Sequence, residues 1–232
     1  MKGRTVFFAI ITVILPFILL MSCVVLVFTP AFLTYEYKKP DFPPDPYGFT
    51  LEQRIDYGTA SVYYITETIH RYGDDFLAGL RIDEDTPLYN ERELSHMKDV
   101  KVVYQASRAV LGVMLIFVIL TILLVWKNPD SLGGFLRALR NGAWLTIALI
   151  GVVIVLIMTS FDALFDNFHR LFFTEESWLF WESDSLIRLF PEKLWVDGFT
   201  LTAALTLVFA GLIIIFMNIV LRKVQIPVKK GN

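Results

Sequence analysis

Four stretches of the 232-residue chain carry no charged side chain: 5–29, 109–126, 143–160 and 200–221. A bilayer crossing takes about 20 apolar residues. A backbone in hydrocarbon must also satisfy its own hydrogen bonds. Each stretch therefore predicts a transmembrane helix, and the second and third, 18 residues each, recruit helical flanks. Pro16, inside the first, predicts a kink there. The organisation reads as an N-terminus and first span (1–29), a long connection (30–108), a second span (109–126) and a short loop (127–142). A third span (143–160), a second long connection (161–199), a fourth span (200–221) and a tail (222–232) complete it.

The long connections have patterns of their own. The run KPDFPPDPY at 39–47 cannot be helical throughout. From Thr50 the pattern turns helical, with Thr50 and Gln53 at capping-box spacing and Ile55, Val62, Ile65 and Ile69 recurring at helical intervals. A turn around Pro87 and Asn90 precedes a polar helix over 91–108 that leads into the second span. Past the third span the pattern predicts that the helix continues, with Phe161, Leu164, Phe165, Phe168 and Phe172 as one stripe. Asp162, Asp166 and His169 project from a neighbouring face, and Asp166 lies at the i,i+3 spacing that lets a carboxylate orient an imidazole. The remainder, 174–199, is too polar to cross a membrane and too aromatic for a free linker, which predicts an interfacial element bent or ended at Pro191.

Charge sets a direction. Lys2, Arg4, Lys127, Arg137, Arg140, Arg222, Lys223, Lys229 and Lys230 stand against one acid, Asp130, in the termini and middle loop. The two long connections hold the other twelve basic residues and twenty-two acids. The positive-inside rule then places both termini in the cytoplasm and both long connections outside. Lys2 and Arg4 followed by an apolar run and Leu20-Met21-Ser22-Cys23 also resemble a lipoprotein signal. Met21 sits where such signals favour a small residue, and the apolar run continues past Cys23, so a retained helix with Cys23 as a buried hydrophobe is the better reading.

Composition narrows the class. A mean hydropathy of +0.57 fits an integral membrane protein, and a net charge of −2 excludes a generally basic nucleic-acid binder. One cysteine excludes a disulfide framework. Of 34 aromatic residues, 24 fall in the two long connections, which predicts an aromatic-rich extracellular cap on an all-α, four-span protein. Candidate chemistry lies there too: His70, followed by Arg71, reads as ordinary surface, whereas His96 and His169 both lie within a few turns of a span. Asp99 follows His96 at the spacing that links Asp166 to His169. Two histidines at one lipid–water boundary suit acid and base roles in acyl transfer, and equally suit solvated positions on interfacial helices. There is no G-x-S-x-G, no H-E-x-x-H and no cysteine pair, and a zinc site from the three histidines and a carboxylate has no local spacing signature. Spans without charged residues argue against a proton relay or ion-coupled transport. Arg222, Lys223, Lys229 and Lys230 read as an orientation anchor with affinity for anionic lipid.

His96, Asp99 and Lys101 before the second span join a long string further on: Phe168, His169, Phe172, Phe173, Trp178, Asp184, Leu186, Arg188, Phe190, Pro191, Glu192 and Trp195. In span count, topology and motif order the chain closely resembles the bacterial lipoprotein intramolecular transacylase family, Lit. Leu194 departs from the pattern, where an aromatic residue is expected before the tryptophan, which bears on packing more than on chemistry. The resemblance implies an extracellular cap over a four-helix bundle, with His96 and His169 as catalytic residues at the cap–membrane boundary. It implies a diacylglyceryl lipoprotein substrate whose sn-2 acyl chain moves to the α-amino group of its own N-terminal cysteine, with no cofactor and no resident metal. Asp99, Lys101, Asp162, Asp166 and Arg188 are candidates to orient the imidazoles or hold an oxyanion. Phe165, Phe168, Phe172, Phe173, Trp178 and Trp195 are candidate walls of a substrate chamber. Which histidine is base and which acid stays open at this level. A metal-dependent membrane lipid hydrolase and a non-enzymatic membrane scaffold are the competing readings.

Overall fold

The structure is a computed structural model that describes residues 2–67, 72–73, 75–173 and 177–224. His70, 174–176, Lys229 and Lys230 lie outside the described residues. Eight α-helices are described: α1 (Lys2–Val27), α2 (Pro30–Tyr37), α3 (Leu51–Thr66), α4 (Glu91–Val125), α5 (Pro129–Thr159), α6 (Phe161–Phe172), α7 (Ser185–Leu189) and α8 (Glu192–Val224). A 3₁₀ turn covers Leu77–Gly79, and the β-pairing among the described residues is one isolated bridge between Arg81 and Pro87. The protein is all-helical, and α1, α4, α5 and α8 are long and apolar enough to cross a membrane. In α4 the apolar crossing is the stretch 109–125, since 91–108 is rich in charge.

The chain forms two compact units, each taking parts of α1, α4, α5 and α8. The first comprises Met1–Val24, Ala109–Val155 and Thr202–Asn232. Small residues let its helices approach closely, as packing between membrane helices requires. A Cβ at Gly142 would lie 2.9 Å from the carbonyl oxygen of Thr12 and 2.8 Å from Leu15. Thr12 is four residues before Pro16, so its carbonyl lacks the usual helical N–H donor. The bare α-carbon of Gly142 faces that carbonyl at close range. Thr12 Oγ1 also bonds to the carbonyl oxygen of Ala138 on α5 at 3.2 Å. Ala143 and Ala210 are fully buried between Leu15 and Ile214, while Val113, Leu124, Val152 and Ile215 point outward. Apolar residues inside and outside alike are the pattern of helices solvated by lipid.

The second unit comprises Val25–Arg108 and Leu156–Leu201. Here α2 forms where the sequence pattern gave no helix. Thr29 caps it by accepting the Phe32 N–H at 3.3 Å, and Pro30 occupies the first turn, where its missing N–H costs nothing. The capping box on α3 is present, with Gln53 N–H donating to Thr50 and Thr50 N–H to Gln53. α2 packs on α3 at Gly58, where a Cβ would meet the Tyr37 hydroxyl at 2.9 Å.

The expectation that the third span runs unbroken into the aromatic segment is corrected at Ser160. Ser160 is extended (φ −164°, ψ 75°), and it donates to Leu156 O while its own carbonyl accepts from Leu164 N. One residue thus closes the hydrogen-bond ladder of α5 and opens that of α6, turning the chain with its own N–H and C=O both paired. The predicted aromatic stripe is not the buried face of α6: Phe168 is 40% and Phe172 44% exposed, while His169 is buried.

Candidate active site

His96 stands in the second turn of α4, fixed by the start of that helix. Asn90 N–H donates to Glu93 Oε2 at 2.7 Å and Glu93 N–H donates to Asn90 Oδ1 at 3.1 Å, a reciprocal cap. The other oxygen of Glu93 accepts the Leu186 N–H at 2.7 Å, tying α7 to α4 one turn before His96. Glu93 is only 2% exposed, and burial pushes its carboxyl above the ordinary range.

His169 comes from the last turn of α6. Its Nδ1 lies 2.8 Å from the carbonyl oxygen of Phe165. A carbonyl only accepts, so Nδ1 carries the proton and Nε2 presents a lone pair. The backbone therefore orients this ring, rather than the carboxylate of Asp166, which acts on it only through its charge.

The two imidazoles, 73 positions apart in the chain, have ring centroids 6.0 Å apart and planes 22° from parallel. Phe173 lies edge-on to His96 at 4.9 Å and tilted against His169 at 5.5 Å, and Phe180 lies edge-on to His96 at 5.4 Å. Phe165 (4.0 Å), Trp178 (5.0 Å) and Phe168 (5.6 Å) complete the surround of His169. Phe172 and Trp195 stand one layer back, against Phe168 and Phe165. Phe180 follows no motif spacing, so the sequence alone does not single it out.

Two polar atoms in this enclosure are buried without a hydrogen-bond partner: His96 Nδ1 and Trp178 Nε1. An orphaned buried donor costs free energy, so such a pair marks where a ligand's polar atoms fit. Of the five polar candidates, none is hydrogen-bonded to either ring among the described residues. Asp99 and Asp162 are exposed, and Lys101 lies over the Tyr64 ring and bonds to Tyr72 O. Arg188 is engaged by Asp45 through Nε at 3.1 Å and Nη2 at 2.9 Å.

Burial shapes the electrostatics. Loss of hydration pushes His96 down to about 4, with the neighbouring His169 adding to the effect. His169 is also lowered by burial, though the Phe165 carbonyl and Asp166 oppose this. Between pH 6.5 and about 4 the unfolded chain takes up a proton at His96 that the folded protein excludes. Stability from this group is therefore complete above about pH 6.5, falls as pH falls through the window, and levels off below it, by roughly 3 kcal/mol in total. Burial raises Glu36 and Glu93, which act with the opposite sign. The expected result is an unfolding midpoint that drops more between pH 7 and pH 4.5 in the native protein than in His96→Gln. Parallel curves for the two proteins would count against the buried neutral imidazole.

Comparison with known proteins completes the description. The family model described as "Lipoprotein intramolecular transacylase Lit" matches residues 7–195. The chain belongs to the Lit family. Both histidines and every candidate residue around them fall inside the Lit match. A chain from Aquifex aeolicus, described only as an uncharacterized protein, is 28% identical over 214 residues, covering 92% of this chain and 94% of its own. The structure of the membrane integral Lit from Bacillus cereus superposes with a TM-score of 0.74 at 17% identity, covering 96% of each chain. A variant of that protein with one histidine replaced by alanine superposes with a TM-score of 0.63 at 18% identity, covering 92% of this chain and 93% of the other. These likenesses establish the fold, and membership of the Lit family makes the chain a bacterial membrane transacylase.

Proposed function

We propose that this protein moves the sn-2 acyl chain of a diacylglyceryl lipoprotein onto the α-amino group of that lipoprotein's own N-terminal cysteine, using His169 as general base and His96 as its partner. The observation that carries this reading is the pairing of two buried imidazoles, 6.0 Å apart, within a wall of aromatic rings.

The amine nitrogen attacks the ester carbonyl carbon and becomes acidic as the tetrahedral intermediate forms. Nε2 of His169, held with its lone pair free by the Phe165 carbonyl, takes that proton. The C–O bond to glycerol then breaks, and the His169 imidazolium returns the proton it took to the departing alkoxide, which restores the neutral ring. The net result is one C–O bond exchanged for one C–N bond and one proton moved from nitrogen to oxygen, with no water or second acyl donor consumed. His96 is held neutral at physiological pH, so it serves first as an N–H donor to developing negative charge, a role that Trp178 Nε1 can share. Two histidines at this boundary suggest an acid paired with a base; burial favours a neutral donor in the resting site instead.

The attack closes a medium-sized ring through sulfur and the glycerol carbons, so amine and ester must be held face to face. Aromatic walls suit acyl chains, and exposed Leu171, Phe172, Leu179 and Trp181 nearby in the chain offer apolar surface to lipid. Charge asymmetry between the loops supports cytoplasmic termini and a site on the outer face. The zinc-hydrolase reading finds no group of three or more His, Cys, Asp or Glu ligands among the described residues.

The test is mass spectrometry of a diacylglyceryl lipoprotein co-expressed with this protein. Its N-terminal peptide is expected to keep the mass of the diacylated form while one acyl chain shifts to nitrogen. Loss of an acyl chain as free fatty acid would refute the proposal in favour of hydrolysis.

A further inference from the structure

At the end of the first unit remote from any histidine in the sequence, a cavity of about 370 Å³ is lined by Arg137, Arg140, Asn218, Leu221 and Arg222. Arg137 and Arg140 sit one turn apart on α5, and Asn218 and Arg222 one turn apart on α8. Arg140 Nη1 donates to Asn218 Oδ1 at 3.3 Å, fixing one guanidinium at the wall. The Arg137 guanidinium folds back across Gly133, where a Cβ would stand 3.4 Å from Nη1.

Three arginines line one cavity, a local excess of positive charge that an anion would balance. The described residues of the unit do not supply one. Its only carboxylate side chain is Asp130, which does not line the cavity, and no described carboxylate pairs with any of the three arginines. An orientation anchor needs basic residues only near the ends of the spans; it does not need them gathered around a cavity with an amide beside them. Guanidinium forks match the oxygens of a phosphate, and basic pockets between membrane helices suit phospholipid headgroups. We propose that this cavity binds a phosphate group, presented by the headgroup of an acidic glycerophospholipid, and so ties α5 to α8 at a site separate from the acyl-transfer chemistry. Leu221, buried in the same wall, gives the glycerol end an apolar neighbour.

The test uses the full chain in neutral detergent micelles, titrated with phosphatidylglycerol, with phosphatidylcholine and with inorganic phosphate, read by native mass spectrometry and by unfolding midpoint. Phosphatidylglycerol is expected to remain bound and raise the midpoint where phosphatidylcholine does neither. Arg137→Gln with Arg222→Gln is expected to weaken this retention roughly 30-fold. Both side chains are exposed and their like charges are brought close, so the lipid-free midpoint should not fall, which separates lost binding from lost folding. Lys127→Gln with Lys223→Gln removes the same charge outside the cavity and should retain phosphatidylglycerol as the native protein does. Equal loss in both double variants, equal retention of the two lipids, or a midpoint response to inorganic phosphate alone would each overturn the proposal.

Discussion

Alanine at His169 is expected to lower acyl transfer about 10³-fold, within the 10²–10⁴-fold that a positioned general base contributes. The ring has an assigned tautomer through the Phe165 carbonyl and is the one group in the enclosure with a free basic nitrogen so fixed. Alanine at His96 should cost a comparable factor, because its buried ring nitrogen has no partner in the protein and is available to charge building on the reacting oxygen. The assay is single-turnover conversion of purified diacylglyceryl lipopeptide, followed by the mass shift of the N-acyl fragment. Neither replacement removes a described hydrogen bond between helices, so the unfolding midpoint at pH 7 should remain within a few degrees. Turnover within about threefold of the native enzyme in either variant would overturn the two-histidine mechanism.

The second large effect is structural. Asp45 is fully buried as a side chain and accepts two bonds from Arg188, at 3.1 and 2.9 Å, with a third from Phe49 N–H at 2.6 Å. Burial pushes its carboxyl up, but Arg188 and the Phe49 N–H outweigh that and hold it below the ordinary range. The guanidinium also lies 3.4 Å from the centre of the Phe49 ring. Asp45→Ala leaves that cation buried without its partner and should cost about 3–5 kcal/mol of unfolding free energy. Arg188 lies in α7, whose start is bonded to Glu93 just before His96, so activity should fall with stability. Asp45→Leu with Arg188→Met removes both charges and should recover most of the loss. A cost below about 1 kcal/mol for Asp45→Ala would show that water reaches the pair.

The four spanning helices were legible because hydrocarbon imposes one rule on every residue in them. A stretch long enough, apolar enough and free of charge has a single way to satisfy its backbone. The caps at Thr50 and Gln53 were equally readable, since both partners lie within one turn. The break at Ser160 was not, because neither glycine nor proline marks it and the hydrogen bonds on its two sides are both regular. α2 was missed for a related reason: Thr29 and Pro30 signal a helix start, but a proline-rich stretch soon after masked it.

The candidate site divides in the same way. Its histidines, its aromatic wealth and its place outside the spans are properties of composition and order, and the sequence by itself determined them. It could not decide what touches each imidazole. Spacing favoured Asp166 for His169 and Asp99 for His96, because i,i+3 neighbours are close on any helix. In the folded protein a backbone carbonyl holds one ring, aromatic rings surround the other, and Arg188 is committed to Asp45 across 143 positions. Only tertiary structure could settle these partners. A hydrogen bond depends on which groups burial brings within 3 Å, and burial gathers residues that no local period connects.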